Sequence, residues 1–581
     1  MKPSRTFVQI VKSAPGAFTA NFALQLLRSG ILVVPGLIVR EIFNRLSGEA
    51  PLSDGLWVLI ALLVAVALVR VGGLLASVAY DGICEAQGQA LLTRSGVRAL
   101  LAKPGASALR MPAGDAVNRL VADSANAATM VGYTFMVSGA GVQALTALAI
   151  MVAIDPLVTV VVCLPLVIAG IVISAASKRI RKYQSSSRAA SGEVNGFLGE
   201  IFGSVQTIQL AGAKKHVMAR LEHLNEERRT KTLRSRLFTD VFLGSIWANT
   251  SALGTGVVLA LTAKSLNAGT FTVGDLALFI IYVGWVTDFT SLFGQNLALY
   301  KASGASLERL EELAPGSVTE VRAQEPMELP APRETLEELK VVGLTCRYPD
   351  SDNGVSDIDF RVRAGQLVVI TGKTGAGKST VLRAVLGLLE RESGQVLWNG
   401  EDAERLPPPR AAYSPQTPRL FSASVRENIQ LGSRTDDEEA LRQAIAAAVL
   451  EQDVRAFDDG MDTMVGHKGA RLSGGQVQRV SAARMFARHC ELLVMDDISS
   501  ALDGPTEKEL WRTLRERRSV SPVTCLAVSH RPETLQEADH IVVLDEGRVV
   551  GQGTFAELLD SDLKVRSLWE ESNYAPQSGH A

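Results

Sequence analysis

A phosphate cradle lies in the second half of the chain. The apolar run Val368-Val369-Ile370 leads into Gly372-Lys373-Thr374-Gly375-Ala376-Gly377-Lys378-Ser379-Thr380, the full G-x-x-x-x-G-K-[ST] pattern between a strand and a helix. Glycines let consecutive backbone N–H groups turn inward on a polyphosphate, Lys378 reaches its outer phosphates, and Ser379 offers a hydroxyl to Mg²⁺. Alone, such a loop establishes nucleotide binding and nothing more. A second apolar run, Leu492-Leu493-Val494-Met495, ends in Asp496. A buried strand delivering a carboxylate beside the loop supplies the second protein contact that Mg²⁺ needs. Between the two, Leu472-Ser473-Gly474-Gly475-Gln476 opens a helical stretch, a second helix N-terminus with backbone donors aimed outward.

These motifs need a sheet to hold them. From about Leu336 the sequence provides one, because short β-type runs alternate with helical runs as in an α/β domain. Upstream the pattern differs. Six segments, near 18–42, 56–80, 128–153, 156–176, 239–263 and 273–299, are apolar and long enough for a bilayer, which needs about 20 helical residues each. The expected fold is a multidomain membrane protein. A six-helix all-α transmembrane domain with long cytoplasmic helical extensions covers 1–313, a proline-bearing linker 314–335, an α/β P-loop ATPase cassette 336–572, and a flexible tail 573–581.

Long connections from Asp81 to Ala127 and from Lys178 to Arg236 carry most of the loop cations, among them Arg94, Arg98, Lys103, Lys214, Arg228 and Arg234. The positive-inside rule therefore places these loops, both chain ends and the cassette in the cytoplasm of a multi-pass protein of the inner or plasma membrane. A net charge of -2 gives no reason to expect a nucleic-acid partner. The five cysteines show no C-x-x-C pair and read as small buried apolar residues. Met1 to Lys12 is polar and basic, and runs into an apolar segment without the small-residue cleavage motif of a signal peptide.

In this order and spacing the motifs resemble those of ATP-binding cassette transporters, specifically an exporter-type half-transporter with one membrane domain ahead of one nucleotide-binding domain. The resemblance covers nearly the whole chain. It implies ATP and Mg²⁺ as cofactors and gives roles to further residues. Tyr348 matches the aromatic that stacks on adenine. Gln416, in Tyr413-Ser414-Pro415-Gln416, matches the glutamine that touches Mg²⁺ and water and lies against the membrane-domain loops. Asp503, in Ser500-Ala501-Leu502-Asp503, belongs to the loop that crosses to a partner cassette, and His530 matches the histidine at the γ-phosphate. The resemblance also implies a dimer, since Ser473, Gly474, Gly475 and Gln476 of one cassette close over ATP held by the loop of another. Coupling helices are implied near Gly105 to Arg110 and near Ser204 to Leu210.

The chain departs from the family pattern at Asp497, where a glutamate usually orients the attacking water. Losing one methylene withdraws the carboxylate by about 1.5 Å, and misplacement on that scale can cost about a hundredfold in rate. Slow hydrolysis at this chain's own site is expected, as in the weak half of a heterodimer. The retained His530 argues the other way, so the heterodimer is slightly favoured over a homodimer with two slow sites. His467 stands where exporters usually carry an acid that meets the coupling loops, and the Leu406 to Ala412 stretch, with three consecutive prolines, is shorter than usual.

Arg28, Arg70 and Asp288 fall within the apolar segments, where charges face a cavity or each other. Two readings follow: a cavity lined by Arg28 and Arg70 that favours anionic or amphipathic substrate, or else snorkelling or pairing with Asp288. Pro35-Gly36 is expected to bend the first helix. Trp247, Tyr282 and Trp285 could stack on a ligand or serve packing and interface anchoring. The function expected is ATP-driven export of an amphipathic or hydrophobic small molecule, peptide or lipid. The alternatives are an importer on the same fold or a regulatory subunit switched by ATP with little turnover.

Overall fold

The computed structural model describes residues 3–47, 55–105, 111, 113–267, 271–316, 334–348, 351, 353–431, 437–466, 469, 471–520 and 523–561. His467, most of the expected linker, the tail and all but Gly105 of the first coupling stretch lie outside them. The chain divides into two compact units, Met1–Ala99 with Ala113–Ala323, and Leu100–Pro112 with Gln324–Ala581.

The first unit is helical. Its elements are α1 (Pro3–Ser13), α2 (Pro15–Ile31), α3 (Val33–Leu46), α4 (Gly55–Ala102), α5 (Ala113–Asn118), α6 (Ser124–Ile154), α7 (Pro156–Gly203), α8 (Val205–Leu210), α9 (Lys214–Arg236), α10 (Gly244–Asn267) and α11 (Val273–Leu313). Short π-helical stretches, Arg119–Asp123 and Leu237–Leu243, lead into α6 and α10. Among the described residues four stretches are long and apolar enough to cross a membrane: Pro15–Leu46, Gly55–Ala102, Gly114–Ile154 and Val273–Leu313. Shorter apolar stretches, Pro156–Pro165 and Gly254–Ala263, lie in the ranges of the expected fourth and fifth segments.

The break between α2 and α3 falls at Leu32. Pro35 lacks an N–H, and its ring crowds the carbonyl four residues earlier, which is that of Ile31. Gly36 next to it allows close packing, since a Cβ there would stand 2.3 Å from Tyr282 Cε1. Tyr282 is fully buried, donates its hydroxyl to the Val33 carbonyl at 3.0 Å and stacks on Trp285 at 4.8 Å. Of the two roles open to it, packing is the one the structure shows. The amphipathic stretch from Lys301 is the last part of α11, and Leu307 and Leu310 bury there against Ile10, Phe18 and Leu92.

The interior of this unit is polar in places. Asn21, Gln25 and Ser29 recur every fourth residue on one face of α2 and are buried. Asp81 accepts from Asn21 Nδ2 at 2.7 Å and from Gln25 Nε2 at 3.1 Å, with Arg28 in electrostatic reach. The carboxylate near Arg28 is thus Asp81, one residue past the expected second segment. Arg40 pairs with Asp275 at 2.6 Å, and Arg309 clamps Asp123 with two donors. In the second expected coupling stretch α8 is a single short helix, whose last residue, Leu210, is 89% exposed.

Among the described residues the second unit holds ten strands: β1 (Glu338–Arg347), β2 (Gly354–Arg363), β3 (Leu367–Gly372), β4 (Ser393–Trp398), β5 (Glu401–Asp402), β6 (Ala411–Ser414), β7 (Leu492–Asp496), β8 (Thr524–Val528), β9 (His540–Asp545) and β10 (Arg548–Gly553). They form a four-stranded sheet in the order β2-β1-β4-β5 and a six-stranded sheet in the order β10-β9-β3-β8-β7-β6. In the larger sheet β9, β3, β8, β7 and β6 run parallel. Parallel strands are covered on both faces, so they read as continuous apolar runs. Val369, Leu493 and Cys525 enter one core, while Val368, Val494 and Leu526, their chain neighbours, enter the other. None of the five cysteines is in a disulfide; Cys84, Cys346 and Cys525 are buried and Cys163 and Cys490 half-buried. Burial pushes the Cys525 thiol up to about 12.

Candidate nucleotide site

The carboxyl ends of four parallel strands gather the residues singled out by motif. β3 ends in Gly372, β6 precedes Gln416, β7 ends in Asp496, and β8 precedes His530. Ligand sites in open α/β sheets sit at such strand ends. The loop after β3 turns through glycines in the left-handed region, Gly375 at φ +87° and Gly377 at φ +96°. A Cβ at Gly372 would lie 2.1 Å from the Leu544 carbonyl oxygen, so the strand can pass β9 only as glycine. Gly377 is the N-cap of the helix Lys378–Val385. Its first-turn N–H groups have no partner within the helix and constitute an anion site together with the loop.

Lys378 bends back over the loop, donating to the carbonyls of Gly372 at 2.7 Å and Lys373 at 2.8 Å. Burial lowers its pKa from the ordinary 10.5, against the opposing pull of Asp497 and Asp496. Ser379 Oγ donates to Asp496 Oδ1 at 2.8 Å. Asp496 is 1% exposed, and burial raises its pKa above the ordinary 3.8. A buried carboxylate beside a hydroxyl and an ammonium is an oxygen-donor pair for a hard cation next to a polyphosphate.

Asp497 follows in the left-handed region at φ +49°, a conformation that aspartate tolerates better than most side chains. Its N–H donates to the Val528 carbonyl at 3.2 Å, and its Oδ2 accepts from Gln416 Nε2 at 3.4 Å. His530 stands exposed two residues beyond Val528, which is the register partner of Asp496. Tyr348 is half-buried with its hydroxyl 3.5 Å from Thr380 Oγ1.

Ser473 caps the helix Gly474–Phe486 in a capping box with Gln476. Gln476 Nε2 also donates to Asp453 at 3.1 Å, so the bonds of Ser473 and Gln476 run to their own helix and Asp453 rather than to the phosphate loop. Asp503 is exposed, with its carboxyl held below the usual range by the Thr506 hydroxyl.

Several site residues went unnoticed at the level of motifs. Gln478, 1% exposed, donates to the Asp497 carbonyl at 3.1 Å and to Ser500 Oγ at 2.9 Å, and accepts from Ala501 N–H at 2.8 Å. It fastens the Ser473 helix to the segment leading to Asp503. Glu507 is buried against Arg531, joining the helix after Asp503 to the segment after His530. A signal existed for Gln478, a second glutamine at i+2 from Gln476; none existed for the pairing of Glu507 with Arg531. Tyr413 and Arg383, both half-buried, also reach this site.

The family model for the ABC transporter matches residues 355–500, and that for the ABC transporter transmembrane region matches 18–288. The chain is 30% identical over 415 residues to a protein of Bacillus subtilis named a probable multidrug resistance ABC transporter ATP-binding/permease protein, covering 70% of this chain and 69% of that one. It is 29% identical over 407 residues to an ATP-dependent lipid A-core flippase of Aliivibrio fischeri, covering 67% of each. A β-(1→2)glucan export ATP-binding/permease protein of Rhizobium johnstonii is 31% identical over 329 residues, 55% of each chain. Among solved structures, a bacterial Atm1-family ABC exporter with ATP bound superposes with a TM-score of 0.79 at 19% identity, covering 97% of this chain and 99% of that one, which shows a shared fold. The chain belongs to the ABC transporter family, as an integral-membrane half-transporter that fuses a membrane domain to an ATP-binding cassette whose ATPase activity is coupled to transport.

Proposed function

We propose that the chain is one half of a dimeric, ATP-driven exporter of an amphipathic or hydrophobic small molecule, peptide or lipid, slow to hydrolyse ATP at its own phosphate loop. Six apolar segments of the first unit span the inner or plasma membrane, with both ends and the cassette cytoplasmic. The relatives named for lipid, glucan and drug resistance support export of bulky or amphipathic molecules over import.

In this reading the N–H groups of Gly372 to Thr380 and Lys378 hold the ATP phosphates, and Tyr348 receives the adenine. Ser379, Asp496 and Gln416 hold Mg²⁺, which neutralises phosphate charge. His530 contacts the γ-phosphate and Asp497 orients water. Ser473, Gly474, Gly475, Gln476 and Asp503 serve the nucleotide of the partner chain, a different half-transporter in the slightly favoured case.

The observation that carries the slow-site reading is Asp497 itself. Its short carboxylate is drawn toward Gln416 on a left-handed backbone, one methylene short of the usual glutamate. Asp497→Glu in the assembled dimer should raise the ATPase rate by about tenfold or more. An unchanged or lower rate would sink the reading. A vesicle transport assay with lipid, peptide and drug panels, scored for direction, tests export against import. Transport absent despite ATP binding would favour the regulatory alternative.

A further inference from the structure

We propose that Tyr413 is a positioning residue for Asp496, and that Arg383 beside it ties the Tyr348 platform to the cation end of the site. The proposal rests on the reading of Ser379 and Asp496 as the Mg²⁺-holding pair. Both oxygens of the Asp496 carboxylate are engaged. Oδ1 accepts from Ser379 Oγ at 2.8 Å and Oδ2 from Tyr413 Oη at 3.2 Å. Two donors on opposite oxygens hold a buried carboxylate in one orientation, and Tyr413 is the donor that stands outside the phosphate loop.

The direction of the Tyr413 proton follows from this partner, because an ionised carboxylate can only accept and the single phenol proton must point at Asp496 Oδ2. Arg383 carries its charge within electrostatic reach of both Tyr413 and Asp496. Arg383 Nη1 donates to Tyr348 Oη at 3.0 Å, which lies in turn 3.5 Å from Thr380 Oγ1. The geometry has simple origins. Arg383 follows Ser379 by four residues and so shares its helix face. Tyr413 on β6 is in register with Val494 on β7, two residues before Asp496 on the same face of that strand. Ser379 would give up its bond to Oδ1 if its oxygen turned to a cation, whereas the Tyr413 bond would need no such change and would keep the carboxylate aimed.

Tyr413→Phe removes only the hydroxyl and keeps the ring that packs on the sheet. The full chain in lipid nanodiscs would be titrated with a fluorescent ATP analogue, with Mg²⁺ varied and separately in EDTA. The free Mg²⁺ giving half-maximal enhancement of binding should rise about tenfold, the scale of a lost hydrogen bond to a charged group. Affinity in EDTA should stay as in the parent, and the thermal midpoint should fall by no more than the few degrees that one lost hydrogen bond costs. Arg383→Gln should shift the Mg²⁺ requirement in the same direction and also weaken binding in EDTA, because Tyr348 loses its tether. An unchanged Mg²⁺ requirement in Tyr413→Phe, or an equal loss with and without Mg²⁺, overturns the proposal. If the parent chain itself binds nucleotide equally with and without Mg²⁺, the reading of Ser379 and Asp496 fails, and the Tyr413 role fails with it.

Discussion

The two units of this chain solve burial in opposite ways. In the cassette the buried strand residues are mostly Val, Leu, Ile and Ala, and polar side chains collect at the strand ends where the site lies. In the helical unit the most apolar helix is the least covered: none of the apolar window of α4 is buried, and Trp57 is 75% exposed. The residues buried there include Asn21, Gln25, Ser29 and Ser77. Apolar burial drives folding in water. In lipid the tails are as apolar as leucine, so helix association rests on close packing and hydrogen bonds. The contrast explains why the same residue types carry different meaning in each unit. A buried glutamine in the cassette, Gln478, holds the segment from Asp497 to Ala501 in place, while Gln25 holds a helix pair together.

Substitutions can break or sharpen this contrast. The largest effect is expected from Lys378→Ala, which should lower ATPase and transport at least about a hundredfold while leaving the thermal midpoint nearly unchanged. Transport persisting without this lysine would separate the units functionally. Next comes one substitution made in both units. Leu526→Ala, in the buried β8, should destabilise the cassette by about 2–5 kcal/mol. Leu68→Ala, on the uncovered face of α4, should change stability by less than about 0.5 kcal/mol in lipid. Equal effects would erase the distinction.

Asp81→Leu should follow, costing about 1–3 kcal/mol because the Asn21 and Gln25 amides lose their acceptor. Replacing all three by leucine should recover much of that loss in melts of the nanodisc-embedded chain. The smallest effect concerns pH. Burial raises the Asp496 pKa above 3.8, so on acidification the folded chain takes up this proton before the unfolded chain does. Its contribution to the stability of nucleotide-free protein should therefore rise as pH falls from the raised value toward 3.8. Asp496→Asn should flatten that part of the melting-temperature profile.

Much of the site was legible because its signals are local. Gly372 to Thr380 is a strand, a turn and a helix start in one continuous stretch, and Ser473 to Gln476 is a helix cap with its own spacing. The extent of the long helices was less legible. α4 and α11 continue far beyond their apolar parts without a break, so hydropathy marks segments and not helix ends. The Asp81 cluster was missed because an isolated carboxylate just past an apolar segment looks like a solvated loop charge. Its amide partners lie 60 and 56 residues away on another helix.

By itself the sequence determined a membrane domain ahead of a nucleotide-binding cassette, and it marked Lys378, Ser379 and Asp496 as candidate nucleotide residues. Those readings depend on covalent spacing and on the apolarity of contiguous runs, which no later packing can alter, whereas Asp497 is one methylene short only by the resemblance to the family. Only the tertiary structure decided that Asp497 sits on a left-handed backbone, that Gln478 locks the Ser473 helix to the segment before Asp503, and that Tyr413 and Arg383 reach Asp496 and Tyr348. Such contacts depend on which strands become neighbours, here β6 beside β7 across 83 residues of chain between Tyr413 and Asp496. Strand order is a property of the whole packed sheet, and no single stretch of sequence encodes it.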